Sequence, residues 1–163
     1  MTDTQKSDLI DRVHHEHNHL TRLFEDLGAT FEKIAEGECD RETLESARED
    51  LRIGLEDMLH HFDQEEEVFF VEIERRFPEF ADQIAELVDT HEFVCDRTRW
   101  LHTVLSRDDD AIAELGDEVH GVLETLSKTL VDHTAQENEI FGAALRQMTP
   151  AEREALLREM QRI

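Results

Sequence analysis

An all-α fold, an up-down-up-down antiparallel four-helix bundle with a short C-terminal fifth helix, follows from three features of the sequence. Apolar residues recur in steps of three and four along four long segments, the period of a helix with one buried face. The composition has no Tyr, scatters its β-branched residues and is rich in Glu, Leu, Ala and Arg, which favours helix over strand. Pro and Gly are few, and no Pro- or Ser-rich linker appears. The 163 residues read as one domain, with the bundle over about 8–146 and the fifth helix over about 150–162.

The first helix carries Ile10, Val13, His17, Leu20, Phe24, Leu27, Phe31 and Ile34 on one seam. "EGECD" at 36–40 interrupts it, and Asp40 is placed to cap the second helix. That helix sets Leu44, Leu51, Leu55, Met58, His61, Glu65 and Val68 on one side, then reaches "RRFPEF". Pro78 breaks it there or starts the next helix. The third helix presents Ile84, Leu87, His91, Val94, Thr98, Leu101 and Leu105 and stops at the turn cluster "SRDDD". The fourth runs through Ile112, Leu115, Val119, Val122, Leu126, Leu130, His133, Glu137, Ile140 and Ala144. Thr149-Pro150-Ala151-Glu152 joins a capping box to a Pro at the first helical position, and so opens the fifth helix.

Six polar residues stand on these seams where Leu is expected: His17, His61, Glu65, His91, His133 and Glu137. Each forfeits roughly 1.5–3 kcal/mol of apolar burial, and a buried carboxylate without a partner costs several kcal/mol more. Together they would consume a domain stability of about 5–15 kcal/mol, so something must compensate. "HHFDQEEEVFF" at 60–70 aligns without a gap on "DHTAQENEIFG", so the His-x-x-x-Glu pair is duplicated. In an antiparallel hairpin, two residues lie level when their midpoint falls on the turn. His17 and His61 have midpoint 39, His61 and His91 have 76, and His91 and His133 have 112, each at or near a turn signal. One imidazole per helix therefore converges at one level. Each His-x-x-x-Glu pair, at i and i+4, presents two donors from one helix face. Four imidazoles and two carboxylates suit a binuclear site for a borderline metal such as iron or manganese, with Glu65 and Glu137 bridging and the histidines terminal. Metal binding worth about 10 kcal/mol or more would offset the lost burial. Any one of these histidines alone reads better as a structural core residue; the conjunction of all six is what points to metal.

The formal charge of −24, from 41 acidic and 17 basic residues, repels phosphate backbones and anionic membranes. Nucleic acid and membrane are accordingly not expected as partners. Only Lys6, Lys33 and Lys128 among the basic residues are lysines, a surface suited to a high-salt cytoplasm. The polar start "MTDTQKSDLIDRV" has no signal core, and no run approaches a membrane span. Cys39 and Cys95, far apart, read as free thiols, so the expected location is the reducing cytoplasm.

Four motifs resemble the hemerythrin-like, or HHE cation-binding, family over roughly residues 8–146. These are "HNHLTRLFEDL" from His17, "HFDQEEEVFF" from His61, "HEFVCDRTRWL" from His91 and "HTAQENEIF" from His133. The second is the most specific. The resemblance implies a four-helix bundle with a non-haem di-iron centre, two iron ions bridged by carboxylate with an oxo bridge allowed, and manganese or zinc as alternatives. It also implies a protein that binds dioxygen or a related small oxidant, senses iron or oxygen, or consumes peroxide or nitric oxide. Two positions depart from oxygen-carrying hemerythrins. Leu87 stands where they place a fifth His, and their Asp five residues after the fourth-helix His is Asn138 here, with the carboxylate at Glu137 instead. These departures favour turnover or sensing over simple oxygen carriage. A ferritin-like di-iron oxidase, built on Glu-x-x-His, is a weaker match.

The remaining candidates read as bystanders. His14, three residues before His17, is a surface residue in preference to the missing ligand, and His15 and His19 point to other faces. His60 and His120 are solvated, and His102 caps or packs the bundle end. Cys95, one turn past His91, is a free core thiol. Phe24, Phe62, Phe69, Phe93, Trp100 and Phe141 form core or site wall, and Gln64 and Gln136 donate to the ligating carboxylates.

Overall fold

A computed structural model describes residues 2–35, 41–107 and 114–162, and every element among them is helical. Helix α1 spans Thr2–Ala35, α2 Arg41–Gln64, α3 Phe70–Arg76, α4 Ala81–Leu105, α5 Gly116–Gln147 and α6 Pro150–Met160. A π turn over Glu65–Phe69 joins α2 to α3 into one rod, and a 3-10 turn over Pro78–Phe80 leads into α4. The Asp40 cap, Asp108–Asp110 of "SRDDD" and Ile112 lie outside the described residues, as do the side chains of Ile10, Val13, Phe31 and Ile34.

The rods pack as a ring: α1 lies against α2 and α5, and α4 lies against the same two. The third seam is buried as expected, from Ile84 through Thr98 to Leu105. On α2 and α5 the seams are mostly buried as expected, and at one position each the inner place passes to a neighbour. Leu55 and Val122 are only half-buried, while Gly54 and Leu123 take the inner places. Gly54 faces α1, where a Cβ would meet the Leu23 side chain. At Phe77 the chain leaves the helix with φ −131° and ψ 74°, outside the helical region that Pro78 disfavours in the residue before it.

The π turn corrects one further expectation. Val68 is half-buried, and the inner places pass to Phe69 and Phe70. One extra residue in the turn lengthens the inward step from Glu65 to four and five positions, where a regular helix takes three and four. The aligned segment of α5 has no such insertion, and Ile140 and Phe141 follow Glu137 directly into the core.

Helix α6 closes the end of the bundle. Thr149 Oγ1 accepts from the Glu152 amide at 3.2 Å while Glu152 Oε1 accepts from the Thr149 amide at 3.3 Å, the capping box read from the sequence. Arg153, buried at 7 % exposure, donates to the carbonyls of Leu145 and Met148 at 2.9 and 2.7 Å, satisfying the exposed end of α5. Among the described residues no helix is long and apolar enough to cross a membrane.

The core has two apolar parts. One gathers Leu20, Phe24, Leu51, Met58, Leu101 and Leu126, among others; the second gathers Phe69, Phe70, Leu87, Phe141, Leu145 and Leu156. On α4 and α5 the polar seam residues lie in the sequence between these two sets, as does Glu65 on the rod of α2 and α3.

Candidate metal centre

All six polar seam residues are buried, with Glu65 and Glu137 at 0 % exposure and no histidine of the four above 4 %. The imidazoles meet in two pairs. His17 Nε2 lies 3.0 Å from His61 Nε2, and His91 Nε2 lies 3.0 Å from His133 Nε2. The carboxylates lie between the pairs. Glu65 turns Oε1 toward His61 and, at 3.3 Å, toward His17, while Oε2 is 3.1 Å from His91 Nε2. Glu137 places Oε2 3.0 Å from His17 Nε2, and Oε1 3.0 Å from His133 Nε2 and 3.7 Å from His91 Nε2. Helical spacing explains the shared faces, since residues four apart stack one above the other.

His91 is held on three sides. The Phe62 ring stacks on it at 3.8 Å and 8°, and the Phe70 ring lies at 5.6 Å and 21°. Its Nδ1 is 3.1 Å from Glu66 Oε1. Glu66 was not legible in the sequence, where "EEE" reads as a solvated face. On a regular helix Glu66 points about 100° away from Glu65; the π turn begins at Glu65 and alters that angle.

Electrostatics bind the cluster together. Burial opposes a charge on His17, yet the Glu137 and Glu65 carboxylates outweigh it and raise its pKa to about 9. Burial is likewise outweighed at His91, where Glu137, Glu65 and Glu66 raise the pKa to about 11. Burial would push Glu65 upward, but the His61 charge and its contacts with Glu137 and His17 hold it well below the ordinary carboxylate range.

Proton-mediated contacts do not satisfy the site. Neither oxygen of Glu65 nor of Glu137 has a well-directed hydrogen bond, nor does Nδ1 of His17 or His133. Across each Nε2 pair only one nitrogen can carry the intervening hydrogen. Buried polar atoms left this way mark a place for an ion or water. The donor spacing fits a cation: two nitrogens bound at about 2.1 Å and at right angles sit about 3 Å apart. Ligand atoms of His17, Glu65, His133 and Glu137 all lie within 4.8 Å of one another. The residues therefore fit a metal held by nitrogen and oxygen donors.

The other candidates separate from the centre. His15, His19, His60 and His120 are exposed, His102 is half-buried at the end of α4, and the His14 side chain lies outside the described residues. Cys95 is free and buried in the apolar core, and burial pushes its thiol up to about 11. Phe93, expected in the core or site wall, is 37 % exposed, with the Arg97 guanidinium 5.4 Å above its ring. The two glutamines do not serve the carboxylates. Gln64 Nε2 donates to the Met160 carbonyl at 2.8 Å, tying α6 to the end of α2, and Gln136 is exposed.

Among the described residues the protein is all helical, and its buried imidazole–carboxylate cluster is compatible with metal binding. The chain belongs to the hemerythrin family: the model of the hemerythrin HHE cation binding domain matches residues 8–145. No curated protein and no solved structure matches it.

Proposed function

We propose that the centre holds two iron ions, with Glu65 and Glu137 bridging them and His17, His61, His91 and His133 as terminal ligands. The division of the carboxylates carries this reading. Each turns one oxygen toward the His17–His61 pair and the other toward the His91–His133 pair. Two nitrogen pairs that share both carboxylates make two metal positions. Manganese and zinc suit the same donors; the hemerythrin resemblance favours iron. An up-down-up-down course agrees with it, because one core cluster unites late residues of α1 and α4 with early residues of α2 and α5.

On this reading the protein binds or senses dioxygen or a related small oxidant. Iron in the centre would supply the electrons that such a molecule accepts. Two imidazoles and two carboxylate oxygens leave each position short of six protein donors, so room remains for an outside molecule. The Phe62 and Phe70 rings fix the plane of His91 and exclude water from its faces. Glu66 accepts the His91 Nδ1 proton and so directs Nε2 inward.

Consumption of peroxide or nitric oxide is the second reading, favoured by Leu87. This fully buried side chain occupies the place one turn before His91, so no fifth imidazole restricts that side of the centre. A metal-free interaction module would leave two buried carboxylates without directed partners, and the burial of the site weighs against it.

The test is to load the protein with iron under nitrogen, admit dioxygen and follow the visible spectrum. A band that appears with oxygen and fades on its removal supports binding. A lasting change with steady loss of added peroxide or nitric oxide supports turnover. A spectrum indifferent to all three refutes both readings.

A further inference from the structure

Outside the centre, side chains with metal-binding chemistry gather in the cleft between α1 and α2. A cavity of about 280 Å³ there is lined by His15, His19, Leu20, Asp57, His60 and His61. His15, His19, Asp57 and His60 are exposed, whereas His61 is buried and places Nε2 3.0 Å from His17 Nε2. His61 is thus common to the cleft and the centre. We propose that this cleft is the entry site for the divalent cation, which depends on the metal-binding reading above: His15, His19, Asp57 and His60 capture the ion and His61 receives it.

The residue pattern suits capture. His15 and His19 stand four apart on α1, and Asp57 stands three and four before His60 and His61 on α2, so each helix offers a two-donor clamp on one face. Imidazole and carboxylate together match iron, manganese and zinc. The outer donors do not converge as the central ones do; among the described residues, the tight His/Glu group is the central one. An ion held loosely there can move on, as a passage requires. The net charge of −24 draws cations toward the surface in general, and the cleft gives them a place to stop. Two other cavities lack this link. The one between α4 and α5 is lined by Phe93, Arg97 and Trp100, among others, and the one at Asp26, Glu42 and Asp50 reaches no residue of the centre.

The experiment is stopped-flow uptake of Co²⁺ by metal-free protein, read from the visible absorbance of the bound ion. The triple variant His15→Gln, His19→Gln, His60→Gln replaces exposed residues, and Asp57→Asn is a separate second variant; circular dichroism checks the fold of both. The triple variant is expected to fill at least about tenfold more slowly, with final stoichiometry and spectrum unchanged. Asp57→Asn is expected to slow uptake in the same direction, and His120→Gln, on α5, leaves the rate alone. Unchanged rates with full loading would overturn the entry site and spare the centre. Reduced final loading would also overturn it, by placing these histidines in the centre itself. No uptake by the unaltered protein would remove both readings together.

Discussion

Glu66 illustrates how one side chain sets the behaviour of the centre without belonging to it. Its carboxylate lies 3.1 Å from His91 Nδ1, a contact that orients the ring and fixes the nitrogen that carries the proton. Glu66→Gln is expected to weaken metal binding by about 10–100-fold while leaving saturation unchanged, measured by titration against a chelator of known affinity. The six central residues were legible because each is polar on an otherwise apolar seam, where a polar side chain is costly unless it binds something. Glu66 was not, because its role depends on a local departure from helical pitch. Phe93 misled for the opposite reason: an aromatic residue one position off the seam is exposed, and Arg97 covers its ring.

Among the elements, the π turn and α6 do most to shape the site. The extra residue in Glu65–Phe69 lets Phe69, Phe70 and Ile73 stay in the core while Glu66 comes within reach of α4. Deleting the exposed Glu67 restores regular pitch and keeps those apolar residues on the inner face. The deletion protein is expected to keep its helical circular dichroism and cooperative melting, yet bind metal about 10–100-fold more weakly through loss of the Glu66 contact. Loss of the fold would show instead that the turn is needed for packing. Arg153 has a purely structural part, since it satisfies two carbonyls at the end of α5. Arg153→Ala is expected to destabilise by about 1–3 kcal/mol, a melting shift of about 2–4 °C for each kcal/mol, with metal stoichiometry unchanged. Helix boundaries near Pro78 and Thr149 were readable because Pro and capping residues act locally. The π turn was not, because "QEEEVFF" carries no Pro, Gly or capping residue to mark it.

At the scale of the whole molecule, the proposed metal would compete with protons for one buried cluster. His17 and His91 have pKa values raised above the ordinary 6.5, to about 9 and about 11. Their stabilising effect is full below about 6.5 and is lost as pH rises through those values. Glu65 is lowered from 4.5, so its effect is present above about 4.5 and is lost as pH falls through its folded value. The cluster therefore stabilises the metal-free protein most between about pH 4.5 and 6.5. Ligating imidazoles must be neutral, so metal uptake at pH 7 is expected to expel protons, with His17 and His91 each giving up one, measured in weakly buffered solution. Affinity should rise with pH through about 9 and on towards about 11, as His17 and then His91 lose their protons; a pH-independent affinity would mean that the metal binds elsewhere. The most direct test of the centre is titration of the metal-free protein with Fe²⁺ under nitrogen, followed by bound iron per chain. Saturation at two ions, abolished in the double variant Glu65→Ala, Glu137→Ala, is the predicted result. No uptake, or two ions still bound by the double variant, would contradict it.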